Sequence, residues 1–303
     1  MPRLFAFGCS FTKYHWPTWA DILGQQFDEY QNWGQRGAGN QFIHNSLVEC
    51  HLKNRINKND VVCIMWSYIS RMDTYQERRW ITPGNIYYQQ EYAEPVKHLF
   101  DTRGFYLRDL ALMYSAQQML REIGCESYMF SIIDILNCQE FEPKDGSPLI
   151  ADILPAYQPL LDQIRPSVHA AVFDRDWFSR PLLTHRAMTR VRENYKEVAG
   201  KDWPDFDSVF GNQGLPKVDR KILKEIFNLN KWDWKRMIRW SARADLHPTP
   251  LEHFEYLSKV LPERSISFDT YSIIKHIDDA IRRDEMPDAE LMKSIMPQQL
   301  SRW

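Results

Sequence analysis

The chain has 303 residues, of which 44% are hydrophobic and 26% charged, so it can bury a full core and is predicted to form one large domain with insertions or one and a half domains. The formal net charge of -2 and the pI near 6.5 provide no basic field for nonspecific binding of nucleic acid, which is therefore not an expected partner. There is no basic segment followed by an apolar h-region at the amino terminus and no apolar run of membrane-spanning length, which predicts a cytoplasmic protein without membrane contact.

The stretch from Leu4 to Thr12 is a short apolar run that stops at a glycine and then delivers a serine. Such a run predicts a buried strand that ends in a tight turn, which is how a parallel sheet presents a nucleophile at its carboxyl edge. Ser10 is therefore a candidate nucleophile, and it needs a base, a group that orients the base and donors for an oxyanion. The alternative is that Ser10 only caps the following helix.

Apolar residues recur at helical spacing after this turn and predict a helix over residues 16–26, with Pro17 in its first turn. Residues 28–33 are predicted to form a second strand. The next segment, from Gly34 to Asn40, contains three glycines and leads into another helical pattern. It predicts a flexible loop at a helix N-terminus, where backbone N–H groups can bind an anion.

The continuous apolar run at residues 61–66 predicts a central parallel strand, whose carboxyl end carries Ser67 and Arg71. Residues 73–103 are polar and rich in tyrosine, and we interpret them as an excursion over the site. The next predicted elements are a helix over residues 105–123 closed by Gly124, a strand over 127–133, an irregular or helical segment over 149–164 and a last strand over 168–173. The alternation of strands and helices up to residue 173 indicates an α/β three-layer sandwich.

Residues 174–240 lose strand character and become charged and tryptophan-bearing, so we interpret them as an inserted helical lid or subdomain. The second half of the site follows this insertion. Asp245 and His247 are two residues apart, so both side chains point to the same side of an extended stretch. Pro248 disfavours a helical His247 and keeps the pair on a loop before the next helix. In a chain with a strand-end serine, the pair is interpreted as a general base and its orienting carboxylate.

The order of these features resembles the SGNH (GDSL-like) hydrolases over about residues 3–173 and 240–262. Gly8-Cys9-Ser10 is similar to the first block of that family, with Cys9 where an aspartate is usual. Gly39 matches the oxyanion glycine that opens the second helix in the family. Asp245-Leu246-His247-Pro248 resembles the last block, which is normally Asp-x-x-His and is one residue shorter here.

The resemblance implies a three-layer α/β/α sandwich with a mainly parallel, flavodoxin-like sheet and catalysis by Ser10, His247 and Asp245. The third block departs from the family, because the usual Gly-x-Asn-Asp is replaced by Trp66-Ser67-Tyr68-Ile69-Ser70-Arg71 and the asparagine donor is missing. Gly39 is then joined as an oxyanion donor by Ser67 or Arg71, and the sequence does not choose between these two. Asn40 is a third candidate, with the role of helix N-cap as its alternative.

The implied domain organisation is an SGNH-like α/β domain over residues 1–262, which carries the excursion over about 73–104 and the helical insertion over about 174–240. Residues 263–303 form a C-terminal helical extension. Its isoleucine stripe would suit either the core or a partner chain, so an oligomer through these helices is one expectation. The stripe consists of Ile273, Ile274, Ile277 and Ile281.

These features together imply a serine esterase of the SGNH type that removes an acyl group, in particular acetyl, from a carbohydrate or other small ester. The carbohydrate is favoured because 14% of the residues are aromatic and surface rings often stack on sugars. One alternative is an O-acyltransferase at the same site, in which a sugar hydroxyl replaces water. Another is a noncatalytic binding or structural protein with a drifted site, and a third is a cysteine hydrolase that uses Cys9.

No cofactor or metal is expected, and the expected partner is a small-molecule or glycan ester substrate. The five cysteines are odd in number and no two are spaced as in CxxC, so neither a disulfide framework nor a zinc site is indicated. His44 and His51 share a helix face, but no carboxylate cluster accompanies them in the sequence.

Overall fold

The computed structural model describes residues 2–84, 101–136, 150, 152–173, 196–200, 225, 247–283 and 287–296. The strands are β1 Arg3–Phe7, β2 Glu29–Asn32, β3 Val61–Trp66, β4 Thr74–Gln76, β5 Arg79–Ile81 and β6 Glu126–Ser131. The helices are α1 Trp19–Gly24, α2 Asn40–Asn54, α3 Thr102–Ile123, α4 Leu154–Leu161, α5 Val168–Val172, α6 Pro250–Val260, α7 Phe268–Arg282 and α8 Ala289–Ile295.

The central sheet has four parallel strands in the order β2-β1-β3-β6. The chain runs outward from β1 to β2 and then reverses past β1 to reach β3 and β6. Right-handed crossovers therefore place α1 on one face of the sheet and α2 and α3 on the other. Helix α2 packs against α3 and α1 packs against α6, as this handedness requires. The predicted three-layer α/β/α sandwich with a mainly parallel, flavodoxin-like sheet is confirmed.

Burial on both faces explains why β1 and β3 are continuous apolar runs. Every residue of β3, and every residue of β1 after Arg3, is at most 3% exposed. Helices cover both faces of a parallel sheet, so neither face requires polar side chains. Trp19 of α1 meets Phe130 of β6 edge to face, with ring centroids 5.2 Å apart. Burial of a side chain such as Phe130 contributes about 1.5–3 kcal/mol, so these contacts hold the helices on the sheet.

Four predicted strands correspond to β1, β2, β3 and β6, with ends that differ by at most two residues from the predictions. Helix α3 matches the helix predicted over residues 105–123, and Gly124 ends it in the left-handed conformation with φ 72°. The helix predicted over residues 16–26 is observed only as α1. Thr18 is extended immediately before α1, so Pro17 precedes the helix instead of lying in its first turn.

The strand predicted over residues 168–173 is wrong, because this segment forms α5. The Ser167 side chain caps the helix by accepting a hydrogen bond from the Ala170 N–H at 3.1 Å. A short apolar run does not distinguish a strand from a buried helix by its periodicity. The sheet is instead extended by a single parallel bridge between Met129 of β6 and Ile164. The fifth strand position is therefore occupied a few residues earlier than predicted.

The isoleucine stripe of the C-terminal extension packs in the core of this chain. Ile274, Ile277 and Ile281 are at most 1% exposed, and α7 packs against α6. The predicted helical insertion lies outside the described residues except for 196–200 and 225, so the domain boundaries stay predictions. Among the helices that the structure describes, none has the length and hydropathy needed to span a membrane.

Candidate active site

The structure brings Ser10 and His247 together at the carboxyl edge of the sheet. Ser10 follows β1 and is 6% exposed, and its Oγ lies 2.6 Å from Nε2 of His247. His247 lies just before α6, as the sequence predicted. The distance is within the range in which an imidazole can take the proton of a hydroxyl group. The two residues can therefore act as an activated nucleophile and its base.

Aromatic side chains hold the imidazole of His247 against the nucleophile. The Tyr14 ring stacks on it with centroids 4.2 Å apart and an interplanar angle of 14°. The Phe11 ring lies at 4.9 Å with a tilt of 45°. Trp16 donates from Nε1 to the carbonyl of Pro248 at 2.9 Å. The segment that follows the nucleophile thus positions the base.

The turn that carries Ser10 is held by the carbonyl of Thr12. This oxygen accepts hydrogen bonds from Thr18 Oγ1 at 2.6 Å and from Asn32 Nδ2 at 2.7 Å. The next helix, α1, begins only after Thr18. The alternative in which Ser10 serves as the cap of that helix is therefore wrong.

Gly8 leaves no room for a side chain beneath this turn. A Cβ atom at position 8 would lie 2.0 Å from Thr12 Oγ1 and 3.1 Å from the carbonyl oxygen of Met65. We expect Gly8→Ala to lower the free energy of unfolding by about 1–3 kcal/mol, as overpacking in a core does.

The double variant Gly8→Ala/Thr12→Ala is expected to recover part of this loss, because it removes the nearest atom. Urea unfolding of the two single variants and the double variant measures this recovery as a coupling energy. Gly104→Ala is the matched control, since the nearest atom to a Cβ there is at 3.3 Å. If the double variant loses as much stability as the two single variants together, the conflict between a Cβ at position 8 and Thr12 Oγ1 is not the cause of the loss.

Asp21 of α1 is a buried carboxylate behind the same turn. Its Oδ2 accepts from the Thr18 N–H at 2.9 Å and also lies 2.9 Å from Thr18 Oγ1, the hydroxyl that donates to the Thr12 carbonyl. Its Oδ1 accepts from the Tyr30 hydroxyl at 3.1 Å. Burial nevertheless raises the pKa of Asp21 from 3.8 to about 6. Thr18 therefore connects the titratable carboxylate of Asp21 to the turn that carries Ser10.

Asp21→Asn is expected to change how stability depends on pH. A raised pKa in the folded state means that the wild-type protein loses stability as the pH rises from 3.8 through about 6. The loss amounts to about 3 kcal/mol at most over that window. The free energy of unfolding of the variant, minus that of the wild type, should therefore rise between about pH 4 and pH 7. Urea unfolding across this range measures it, and a difference that does not vary with pH would contradict the raised pKa.

The glycine loop, residues 34–39, is closed by a carboxylate from the segment after β3. The Gly39 N–H donates to Asp73 Oδ1 and the Phe42 N–H donates to Asp73 Oδ2, each at 2.8 Å. The Gly39 N–H, which is a predicted oxyanion donor, thus already donates to an acceptor inside the protein. A Cβ at Gly39 would lie 2.8 Å from the Cβ of Arg71, so the close approach requires glycine. Burial raises the pKa of Asp73 above 3.8.

Asn40 joins α2 to the end of β3 and to α3. Its Oδ1 accepts from the Ser67 N–H at 2.7 Å, and its Nδ2 donates to the Ser67 carbonyl at 3.2 Å and to Asp109 Oδ2 at 2.7 Å. Burial raises the pKa of Asp109 to about 6, although Arg108 Nε donates to its Oδ1 at 2.6 Å. The Asn40 side chain is thus a structural bridge, and neither of the roles considered from the sequence describes it.

The remaining predicted oxyanion donors, Ser67 and Arg71, follow β3 and are both buried. Ser67 is 3% exposed, and its Oγ has no hydrogen-bond partner among the residues that the structure describes. Arg71 donates from Nη1 to the carbonyl of Ala38 at 2.9 Å, and its guanidinium lies 5.6 Å from the Tyr68 ring centroid. Arg71 is thus partly committed to the glycine loop, whereas the Ser67 hydroxyl is available.

Asp245, the predicted orienting carboxylate, lies outside the described residues, so its role stays a prediction. Cys9 is fully buried, and its Sγ is 4.0 Å from Ser10 Oγ. In the described ranges, no group of three or more His, Cys, Asp and Glu side chains is arranged to hold a metal ion. The sequence reasoning missed Tyr14 and Asp73, because neither residue belongs to a pattern with a characteristic spacing.

A parallel α/β sheet with a hydrogen-bonded serine and histidine at its carboxyl edge defines a class of proteins that can carry out nucleophilic chemistry. No protein-family model matches this chain, and no curated protein matches it. Protein YXIM of Bacillus subtilis is similar in structure, with 13% identity and a TM-score of 0.33 over 56% of this chain and 44% of its own. A member of the lipolytic G-D-S-L family from Veillonella parvula has 12% identity and a TM-score of 0.33 over 59% of this chain and 85% of its own. The chain thus spans less than half of the YXIM chain.

Proposed function

We propose that the protein is a serine hydrolase of the SGNH type that cleaves acyl esters, with Ser10 as nucleophile and His247 as general base. The observation that supports it is the 2.6 Å contact between Ser10 Oγ and His247 Nε2. Ser10 also follows the strand at which the chain reverses its direction across the sheet. Ligands of open α/β sheets bind in the crevice at such a switch point, so the pair lies where a substrate would enter.

In the proposed reaction, His247 Nε2 takes the hydroxyl proton as Ser10 Oγ forms a bond to the ester carbonyl carbon. The carbonyl π electrons move to the oxygen, which becomes the oxyanion of a tetrahedral intermediate. The bond from carbon to the alcohol oxygen then breaks, and the imidazolium gives its proton to the departing alkoxide. Water, deprotonated by the same nitrogen, attacks the acyl-serine and releases the acid, while the proton returns to Ser10 Oγ. Asp245 is the proposed carboxylate that orients the imidazole.

For the oxyanion, we propose the N–H of Ser10 and the hydroxyl of Ser67 as donors. The Ser67 proposal is supported by its buried hydroxyl, which no described residue accepts from or donates to. The N–H of Gly39 joins them when the Asp73 carboxylate releases it. One such donor is worth about 2.7–4 kcal/mol of transition-state stabilisation, so the Asp73 contact would limit the rate.

The proposed substrate is a small-molecule or glycan ester, with an acetylated carbohydrate as the first choice because of the aromatic content of the chain. If a sugar hydroxyl replaces water in the second step, the same site is an O-acyltransferase. The site chemistry is identical up to the acyl-serine, so product analysis separates the two activities.

A noncatalytic binding protein is the second candidate. It is favoured by the contact in which the Asp73 carboxylate occupies the Gly39 N–H. It is also favoured by the absence of the Gly-x-Asn-Asp block from the segment after β3. In such a protein the Ser10–His247 contact would be structural.

Labelling with a fluorophosphonate probe, followed by mass mapping of the modified peptide, tests the hydrolase proposal against the binding protein. We expect the folded protein to be labelled on Ser10, because only an activated serine attacks the phosphonate at an appreciable rate. A heat-denatured sample is the control and should not react. A folded protein that stays unlabelled would reject the hydrolase and support the binding protein.

A further inference from the structure

A positively charged side chain contacts the aromatic ring that is stacked on His247. The guanidinium carbon of Arg36 is 5.1 Å from the centroid of the Tyr14 ring, and this ring is stacked on His247. Arg36 Nη2 donates to Nδ1 of His15 at 2.5 Å. Within the described part of the chain, no ion pair includes Arg36. A cation with no carboxylate partner among the described residues therefore lies one aromatic ring away from the base.

The backbone of Arg36 is fixed relative to the nucleophile. The Gln35 N–H donates to the Gly8 carbonyl at 3.0 Å, and the hydroxyl of Thr82 donates to the Arg36 carbonyl at 2.7 Å. Gly37 has φ 73°, and a Cβ there would lie 2.1 Å from the Thr82 carbonyl oxygen. Thr82 follows the hairpin of β4 and β5, so the segment after this hairpin packs against the turn that carries Arg36 and fixes it.

The arrangement suits the binding of an anion. A guanidinium carries five N–H donors in a planar fork that matches a carboxylate or a phosphate group. The cation–π contact with Tyr14 and the hydrogen bond to His15 restrict this fork before any ligand arrives, which reduces the entropy that binding must overcome. Arg103, by comparison, already has both of its terminal nitrogens on the carboxylate of Asp152 at 2.7 Å. The exposed Arg36 has no such partner among the described residues.

We propose that Arg36 and His15 form an anion subsite beside Ser10 and His247, which binds a carboxylate or phosphate group of the ester substrate. This inference rests on the proposed function and names its substrate class, an ester whose alcohol part carries a negative charge, such as an acylated acidic sugar or sugar phosphate. Arg36 determines specificity and takes no part in acyl transfer.

The kinetic test compares 4-carboxyphenyl acetate with its neutral analogue 4-carbamoylphenyl acetate. We expect the wild type to prefer the anion in kcat/KM by about 10- to 100-fold, the size of a hydrogen bond to a charged group, and to lose this preference at high salt. Arg36→Ala should remove the preference by lowering kcat/KM for the anion alone. Lys58→Ala, which removes an exposed positive charge elsewhere, is the control and should keep it. Equal effects of Arg36→Ala on both esters would overturn the subsite.

Binding without catalysis is tested in 15N-labelled Ser10→Ala protein. The Nε–H resonance of Arg36, assigned by its loss in Arg36→Lys, should shift on titration with sodium acetate or inorganic phosphate and not with acetamide. The stronger of the two anions identifies whether the substrate carries a carboxylate or a phosphate. A resonance that responds to neither anion would overturn the subsite. A shift in a protein whose wild type is neither labelled nor active would reject the proposed hydrolase and retain the anion site.

Discussion

Ser10→Ala is expected to abolish fluorophosphonate labelling and to lower kcat/KM for an acetyl ester by about 10⁴-fold or more. Ser10 Oγ is the atom that His247 Nε2 contacts at 2.6 Å, and alanine offers neither the attacking oxygen nor the proton that the imidazole takes. The covalent route is then closed. What remains is the rate that binding and the oxyanion donors provide to attack by water. Hydrolysis of 4-nitrophenyl acetate and gel fluorescence of the labelled protein measure the two effects.

Cys9→Ala is the matched control for this variant, because Cys9 is adjacent and fully buried. It is expected to retain labelling at Ser10, and thermal unfolding should show that both variants are folded. The reverse pattern, in which Ser10→Ala still hydrolyses the ester and Cys9→Ala does not, would assign the nucleophile to Cys9. Rates of Ser10→Ala within tenfold of the wild type would reject a covalent serine mechanism.

The parallel sheet could be predicted from the sequence because its two central strands, β1 and β3, are buried on both faces, whereas the flavodoxin-like arrangement was implied only by the family resemblance. A continuous apolar run such as Val61–Trp66 is stable only under helices on both sides, and the residue after such a run lies at the carboxyl edge of the sheet. This reasoning located Ser10 and Ser67. The strand prediction for residues 168–173 was wrong, because a short apolar run fits either a strand or a helix and the Ser167 cap stabilises the helix α5.

The contacts that support the site could not be predicted, since they depend on how distant segments meet. Asp73 lies 34 residues from Gly39, in a polar stretch without periodicity, and yet it accepts the N–H that a family resemblance assigns to the oxyanion. Tyr14 lies four positions after the nucleophile, and only the fold shows that its ring stacks on His247. Residue types and strand ends thus predict which groups react, whereas the groups that position them follow from packing.

His247→Ala is expected to slow fluorophosphonate labelling and ester hydrolysis by about 10³-fold or more, since the hydroxyl of Ser10 then keeps its proton. The substitution leaves a gap the size of one ring beside Tyr14 and Phe11, which contact the imidazole at 4.2 and 4.9 Å. Added imidazole should enter this gap and restore part of the activity. The rate of labelling as a function of imidazole concentration measures the rescue.

The control for His247→Ala is His44→Ala, which removes an imidazole of α2 that contacts Ser115 and not the nucleophile. It should leave labelling unchanged and should not respond to imidazole. Asp245→Ala then tests how the base is oriented. A loss close to that of His247→Ala would assign the orienting role to Asp245, because a misaligned imidazole cannot take the proton. A loss below tenfold would mean that the stack with Tyr14 and the Trp16–Pro248 hydrogen bond orient His247 without a carboxylate at Asp245.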